Sequence, residues 1–330
     1  MPRLHRLRRQ ILKTILFAML ASPAAALAET QPSGPALWAV QDDDTTVYLF
    51  GTIHFLKPNS DWRTDEVRRA WAASDRLILE VENPEDQAAV APLIRQFGLS
   101  PERPLSSLLP REDLQRFRAA ATAMGADPMQ LDAMRPWLAG VILSSAKLSY
   151  AGYDAASGVD VILRTEAREA NKPIMGLETP EQQIGMLSSF PEAGQLAFLT
   201  STIRDFDAAP VELEQLTEAW SSGDTDAIAA VTLEPMRKQS ESLYQTLIVE
   251  RNRRWAAQIT ALLDTPGVAF VAVGALHLSG EDGVPEILRA SGIRVIRLPQ
   301  AEGLARGWRT SAFHPMRTPA KSAEEARRTP

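Results

Sequence analysis

Two histidines of this chain share one local context, because each ends a Gly-x-x-His segment that directly follows an apolar run. His54 ends the segment GTIH at 51–54, and His277 ends the segment GALH at 274–277. Neutral imidazole binds Zn, Mn, Co, Fe or Cu, and it also serves as a general base. The shared context predicts that both side chains converge on one metal ion or one substrate, whereas either alone is compatible with a hydrogen-bonded structural residue.

Two histidines rarely complete a catalytic metal site, so at least one carboxylate ligand is expected. Glu80 and Glu82 follow the apolar run 77–79 and share one face of a predicted strand. Glu80 lies deeper in that run, where an unpaired carboxylate is costly, and we predict that it is a metal ligand or general base. A salt bridge at the strand end is the alternative role for Glu80.

Two further acidic residues stand where a helix is predicted to start. Glu178 ends a third apolar run, 173–177, and is a candidate for contact with substrate. Because Pro180 opens a predicted helix directly afterwards, Glu178 could instead stabilise that helix N-terminus. Asp160 follows Gly158 in the same kind of position, and the helix-start role is favoured for it over a ligand role.

The remaining candidates are polar residues beside apolar segments. Asn252 falls on the apolar stripe of a predicted helix, 235–263, so its amide needs a partner in the site or on the backbone. Arg251 next to it could pair with a site carboxylate or polarise a substrate carbonyl. Tyr150 and Tyr153 are candidate pocket walls or oxyanion donors, with a place in the hydrophobic core as the alternative.

The elements that must position these residues follow an α/β pattern. Strand-like runs cluster near both ends of the chain and helical patterns fill its middle, which predicts a single α/β domain whose central sheet is split in sequence by a large helical insertion. Ligand sites in such sheets lie beyond the carboxyl ends of strands, where both histidines fall. The predicted strands are 46–50, 76–82, 173–177, 268–273 and 293–298, and the predicted helices are 64–73, 84–97, 111–124, 136–150, 158–171, 180–188, 192–206, 211–221, 235–263 and 284–291.

Residues 1–28 have the pattern of an export signal. Five basic and no acidic residues precede an apolar stretch that opens at Ile15, and an Ala-Leu-Ala cleavage site stands at 26–28. Arg8 and Arg9 also approach a twin-arginine signal. We therefore expect a periplasmic or secreted protein without a stable membrane anchor after cleavage, ending in a disordered tail at 317–330.

Charge and cysteine content exclude several classes of function. Loss of the five leader charges would take the formal net charge from −6 to −11, and an acidic body argues against nucleic acid as a partner. The chain has no cysteine, which excludes disulfides, thiolate metal sites and a cysteine nucleophile. The predicted partner is a peptide or a small-molecule substrate.

The motifs together resemble those of the TraB/GumN family, to which the Tiki-type Wnt-inactivating metalloproteases are similar. One Gly-x-x-His segment is a weak signal, but an ordered series along residues 37–300 is a strong one. The series consists of FGTIH at 50–54, EVE at 80–82, GVD at 158–160, GLET at 176–179, RN at 251–252, VGALH at 273–277, GVP at 283–285 and GIRV at 292–295.

This resemblance implies an α/β fold with a central sheet, similar to erythromycin-esterase-like and haem-binding ChaN-like proteins. In the Tiki branch the two Gly-x-x-His motifs and a strand glutamate are required for metal-dependent peptide cleavage, with manganese or cobalt favoured. On this chain those positions are His54, His277 and Glu80. Arg251 and Asn252 match a further family motif, whereas no C-terminal membrane anchor like that of the Tiki branch is evident.

Three hypotheses follow, because a shared fold does not determine the reaction. The first is an exported metal-dependent hydrolase, a peptidase. The second is a protein that captures a peptide or a haem-like ligand without turnover. The third is a metal-independent hydrolase in which a histidine activates water directly. In the first hypothesis His54, His277 and Glu80 hold Mn²⁺, Co²⁺ or Zn²⁺, Arg251 assists catalysis, and Asn252, Tyr150, Tyr153 and Glu178 contact the substrate.

Overall fold

A six-stranded sheet forms the centre of the protein. The structure is a computed structural model that describes residues 34–204 and 209–299. The strands lie in the spatial order β4-β3-β5-β2-β1-β6. They are β1 (Leu37–Gln41), β2 (Thr45–Thr52), β3 (Arg76–Val81), β4 (Ile174–Glu178), β5 (Gly267–Gly274) and β6 (Val295–Arg297).

Four neighbouring strands of the sheet run parallel. β2 pairs with β5, β5 with β3 and β3 with β4 in parallel, whereas β1 is antiparallel to both β2 and β6. The register places Thr52 opposite Gly274 and Val81 opposite Glu178. The carboxyl ends of β2, β3, β4 and β5 therefore meet at one edge of the sheet, which is the edge where α/β proteins bind ligands.

The two faces of the sheet are buried in separate apolar cores, because successive strand residues point to opposite sides. Phe50 and Phe270 lie on one face and pack with Trp62. Val271 lies on the other face, in the core that contains Trp255. These side chains are at most 5% exposed, so the sheet is a rigid base for the side chains at its edge.

Helices cover the sheet and fill the long connections between its strands. Residues 82–173 connect β3 to β4, and residues 179–266 connect β4 to β5. A further apolar cluster around Phe117, Leu143 and Leu199 lies among these connecting helices. The structure confirms the predicted α/β domain with a sheet split by a helical insertion. The described α-helices are Asp65–Ala73, Gln87–Phe97, Leu105–Leu108, Arg111–Ala123, Pro128–Asp132, Pro136–Tyr150, Val159–Glu169, Pro180–Ser189, Glu192–Arg204, Ala209–Ser221, Thr225–Ile228, Glu234–Gln239, Glu241–Tyr244, Glu250–Leu262 and Val284–Ala290.

β1 forms where the residue pattern predicts no strand. Leu37 to Val40 are all buried, so the alternation of exposed and buried residues that marks a strand is missing. Because β1 pairs on both sides, with β2 and with β6, its first four residues are buried despite its short length.

The prediction of one continuous helix at 235–263 is wrong, because the helix breaks at Ser240. The backbone of Ser240 is extended (φ −159°), and its hydroxyl accepts a hydrogen bond of 3.2 Å from the Leu243 N–H. Ser240 therefore ends one helix and caps the next. A π-helical turn, Gln245–Val249, then precedes the helix Glu250–Leu262, which carries two of the predicted site residues.

The predicted export signal at 1–28 and the predicted tail at 317–330 lie outside the described residues. Within the described ranges, no helix combines the length and the apolar character that crossing a membrane requires.

Candidate functional site

The carboxyl-end edge of the sheet gathers most of the predicted site residues. They come from positions far apart in sequence, and four strand ends and one helix deliver them. The group consists of His54 after β2, Glu80 on β3, Glu178 at the end of β4, His277 in the 3₁₀ turn after β5, and Arg251 and Asn252 on the helix Glu250–Leu262.

The glycine of each Gly-x-x-His segment permits a close approach between the two motifs. A Cβ atom on Gly51 would lie 3.0 Å from the Cα of Ala275, and one on Gly274 would lie 3.0 Å from Oε1 of Glu80. Both distances are too short for a relaxed contact. The Gly274 N–H can therefore donate a 2.8 Å hydrogen bond to Glu80, which joins the second motif to the strand glutamate.

Arg251 is the centre of a buried network with Glu80, Glu178 and His277, which we call the Arg251 network. Its Nε lies 3.0 and 3.1 Å from the two carboxylate oxygens of Glu178, and its Nη2 lies 2.9 Å from Oε2 of Glu178. Nη2 also donates to Oε2 of Glu80 at 2.8 Å, and Nη1 lies 3.1 Å from Nε2 of His277. One guanidinium therefore joins two carboxylates and one imidazole.

Glu80 stays ionised in this network. Burial alone raises the pKa of a carboxyl group, but His277, Arg251, His54 and the Gly274 N–H outweigh burial and lower the pKa of Glu80 to about 2. Arg251 in turn stays charged, because burial disfavours its cation less than Glu80 and Glu178 favour it, which raises its pKa. The network thus pairs an ionised Glu80 with a charged Arg251 near neutral pH.

Asn252 orients His277. The amide Oδ1 of Asn252 lies 2.6 Å from Nδ1 of His277, and its Nδ2 donates to the main-chain oxygen of Asp282 at 2.7 Å. Since an amide oxygen only accepts, Nδ1 of His277 carries the proton and Nε2 keeps its lone pair. Burial, with Arg251 and His54, lowers the pKa of His277 to about 3 against the opposing charge of Glu80, so its imidazole is neutral.

Asp160 orients His54 in the corresponding way. Nδ1 of His54 lies 3.0 Å from Oδ1 of Asp160, while the His54 side chain is 57% exposed. Burial disfavours the charged imidazole, but the hydrogen bond and charge of Asp160, together with Glu80, outweigh it and raise the pKa of His54 to about 9. The backbone supports this contact, because the Val159 N–H donates to the Ile53 oxygen at 3.0 Å. The residue pattern favours a helix-start role for Asp160, and the structure adds this second role.

The four residues predicted to contact substrate have the following places in the structure. Asn252 has no exposed surface, and its amide contacts His277 and the main chain of Asp282. Glu178 is also buried and holds Arg251. Tyr150 is 78% exposed at the end of its helix, and Tyr153 packs beneath Lys57, whose Nζ lies 5.3 Å from the ring centroid. Neither tyrosine belongs to the Arg251 network.

A surface cavity of about 350 Å³ opens beside the segment that follows His54. Lys57 and Tyr153 line it together with Thr217 from the helix Ala209–Ser221. The Lys57 Nζ is held 3.2 Å from Glu214 at its rim. Tyr153 lines this cavity and is at the same time only 5% exposed, so both the pocket-wall role and the core role stay predictions.

Sequence comparison identifies the family to which this chain belongs. The sequence model of the TraB/PrgY/gumN family matches residues 36–297, a range that contains both histidines and the whole Arg251 network. The chain belongs to the TraB/PrgY/gumN family. Membership confirms the resemblance drawn from the ordered motifs, and it covers most of the part of the chain that the structure describes.

Three proteins similar to this chain have different descriptions. The protein YbaP of Escherichia coli (strain K12), described as uncharacterized, is 28% identical over 268 residues, which are 80% of this chain and 96% of YbaP. Metalloprotease TIKI1 of Danio rerio is 24% identical over 329 residues, covering 83% of this chain and 66% of TIKI1. Metalloprotease TIKI2 of Danio rerio is 23% identical over 311 residues and is covered over 60% of its length. No solved structure matches the chain at a significant level.

The donor types at this TraB/PrgY/gumN site fit a divalent transition metal. Two imidazoles and a carboxylate are the ligands that Mn²⁺, Co²⁺ and Zn²⁺ accept, and each imidazole has its Nδ1 fixed by an oxygen, as metal-ligating histidines usually do. In the described part of the chain, however, no three such side chains are grouped as a ready metal site. The contacts give the reason, because Arg251 occupies Nε2 of His277 and Oε2 of Glu80.

Proposed function

We propose that this member of the TraB/PrgY/gumN family is an exported, metal-dependent hydrolase that cleaves peptides. The observation that carries the proposal is the matched support of the two histidines. Asp160 holds Nδ1 of His54 and Asn252 holds Nδ1 of His277, so the nitrogen left for a metal is Nε2 in both. Metal binding through these nitrogens would require His54 to lose its proton and Arg251 to release Nε2 of His277.

In this proposal His54, His277 and Glu80 would hold the metal. A bound Mn²⁺, Co²⁺ or Zn²⁺ supplies a Lewis acid and lowers the pKa of a bound water. Glu80 is ionised, and it would either complete the coordination of the metal or accept the proton of the attacking water. Arg251, anchored by Glu178, would donate to the carbonyl oxygen of the substrate.

Two observations support peptides as the substrates, namely the descriptions of two related proteins and the presence of a surface cavity. Two relatives bear the description metalloprotease, although this chain covers about two thirds of one and less of the other. The cavity of about 350 Å³, lined by Lys57 three residues after His54, offers room for the side chains of a peptide. Export is supported by the leader pattern of residues 1–28.

One test joins metal content to activity. The purified protein and the His54→Ala, His277→Ala double variant are analysed for bound metal and incubated with a peptide library in Mn²⁺, Co²⁺ or Zn²⁺. We expect about one metal per chain and cleaved peptides by mass spectrometry, with both lost in the double variant. Equal metal affinity in the double variant would refute the site, and cleavage that survives chelation would refute the metal requirement.

A second candidate function, metal-independent hydrolysis, is favoured by one contact. Arg251 already fills the position on His277 and Glu80 that a metal needs. In that case the exposed His54, oriented by Asp160, would exchange protons with water directly. Chelator-resistant cleavage that His54→Ala abolishes would favour this function over the first.

A further inference from the structure

The guanidinium of Arg251 stands where three ligand-type side chains point. Oε2 of Glu80 lies 2.8 Å from Nη2, Oε2 of Glu178 lies 2.9 Å from the same nitrogen, and Nε2 of His277 lies 3.1 Å from Nη1. Carboxylate oxygen and imidazole nitrogen are also the usual ligands of divalent transition metals. The side chains around Arg251 are therefore of the types that also bind a metal cation.

Burial makes a cation necessary at this position. The side chains of Glu80 and Glu178 are 13% and 4% exposed, and His277 is 4% exposed. Two buried carboxylates with no positive partner would be strongly destabilising. In the metal-free chain Arg251 supplies that charge, and its own side chain is only 7% exposed.

The contacts of Arg251 divide into an anchor and a displaceable part. Nε and Nη2 form a fork on Glu178, with three distances between 2.9 and 3.1 Å. The contacts with Glu80 and His277 are single hydrogen bonds. Loss of these two bonds would leave the fork on Glu178 in place and open His277 and Glu80.

We propose that Arg251 is an internal substitute for the metal cation, holding the ligands Glu80 and His277 until a divalent ion displaces it from them. The inference rests on the proposed metal-dependent function. It makes Arg251 the residue that sets the affinity of the site, because a bound ion must both displace the guanidinium and tolerate its charge nearby.

The neighbouring Arg254 provides a matched control. It also lies close to Glu178, with Nη2 3.4 Å from Oε1, but its side chain is 54% exposed. Within the described contacts it touches neither Glu80 nor His277. Replacing Arg254 therefore removes the same charge from the same carboxylate without opening the metal position.

The test measures binding of Mn²⁺ alone to the full, chelator-treated protein by titration calorimetry. We compare the unmodified chain with Arg251→Met, with Arg254→Met and with the Arg251→Met, His277→Ala double variant. Arg251→Met should bind Mn²⁺ at least about tenfold more tightly than the unmodified chain, and Arg254→Met should bind as the unmodified chain does. The double variant should lose the gain.

The outcomes separate this inference from the proposed function. A gain in Arg251→Met over measurable Mn²⁺ binding by the unmodified chain supports the inference. No Mn²⁺ binding by the unmodified chain overturns the displacement of Arg251 and also removes Mn²⁺ from the proposed function. Equal or weaker binding in Arg251→Met overturns the inference, and so does an equal gain in Arg254→Met. The unmodified chain could still bind Mn²⁺ and cleave peptides when one of these two results overturns the inference about Arg251. The proposed function would then stand without that inference.

A second variant keeps the test decisive if circular dichroism shows that Arg251→Met does not fold. Arg251→Lys retains one positive charge, but a single ammonium cannot maintain the fork on Glu178 together with both other contacts. We expect a smaller gain in Mn²⁺ affinity, about threefold, in the same direction. No gain in a folded Arg251→Lys protein would overturn the inference.

Discussion

His54 and His277 occupy the same position in the same motif, yet their surroundings are opposite. His54 is 57% exposed and faces a carboxylate, and its pKa is raised to about 9. His277 is 4% exposed and faces an amide, and its pKa is lowered to about 3. The motif therefore determines where the backbone delivers an imidazole, whereas the partner and the burial determine its charge.

The difference has a use in the proposed reaction. A neutral, buried imidazole is a fixed ligand, because it neither gains a proton near neutral pH nor moves. An exposed imidazole next to a carboxylate is suited to exchange protons with solvent or substrate. The same motif therefore supplies one buried, neutral imidazole and one exposed imidazole with a raised pKa.

The largest effect expected from this comparison is on stability. Asn252→Ala would leave Nδ1–H of His277 and the carbonyl of Asp282 without their partner, both in a buried setting. We expect the metal-free variant to lose about 3 kcal/mol of unfolding free energy in urea titrations. Asp160→Ala, which removes the partner of the exposed His54, should cost less than about 1 kcal/mol. Equal losses in the two variants would contradict the asymmetry.

Smaller losses are expected at the motif glycines. Gly51→Ala places a methyl group against the backbone of Ala275, and Gly274→Ala places one against Glu80. Each should cost about 1–3 kcal/mol of unfolding free energy, with Gly51→Ala the larger because backbone cannot rotate away. Gly185→Ala is the matched control, since nothing lies within 4 Å of its added Cβ, and it should be neutral or slightly stabilising.

The smallest effect expected is on pH dependence, and its sign differs between the two histidines. The raised pKa of His54 stabilises the metal-free protein fully below the ordinary value of 6.5, and this stabilisation is lost as pH rises through about 9. The lowered pKa of His277 acts oppositely, because stability falls as pH drops from 6.5 toward about 3.

Asp160→Asn sharpens that comparison. It removes the charge that raises the pKa of His54, so this pKa should fall toward 6.5 while the pKa of His277 stays low. Histidine ring-proton NMR of the chelator-treated protein measures both values. The loss of stability between about pH 6.5 and 9 should also shrink in this variant. An unchanged His54 pKa would show that Asp160 is not its source.

The residue pattern locates the ends of β2 and β5, but it identifies only one of the two side chains that hydrogen-bond the histidines. Apolar runs ending in glycine locate β2 and β5, and hence both histidines, because a buried parallel strand needs a continuous apolar run. Asn252 is detectable as a polar residue on an apolar stripe. The pairing of Asp160 with His54 is not, because an acid in the first turn of a helix is common without any tertiary partner.

The failures at β1 and at Ser240 have the same physical origin. β1 lies between β2, which follows it directly in sequence, and β6, which follows about 250 residues later, and its short run of four buried residues does not reveal this two-sided pairing. No glycine or proline stands beside Ser240 in the sequence to mark the break. Its capping role is visible only in the structure, where its hydroxyl accepts a hydrogen bond from the Leu243 N–H. Short elements are decided by their tertiary neighbours more than by propensity.

The sheet order has a consequence for how the protein acquires its site. β5 inserts between β2 and β3, although it is synthesised about 200 residues after them. Until that insertion occurs, the centre of the sheet is open and the two Gly-x-x-His motifs are on unconnected segments. Contacts of such long sequence separation form slowly. Any chain truncated before β5 therefore lacks the middle of its sheet and His277, so the complete site can form only in a molecule in which β5 has already paired with β2 and β3.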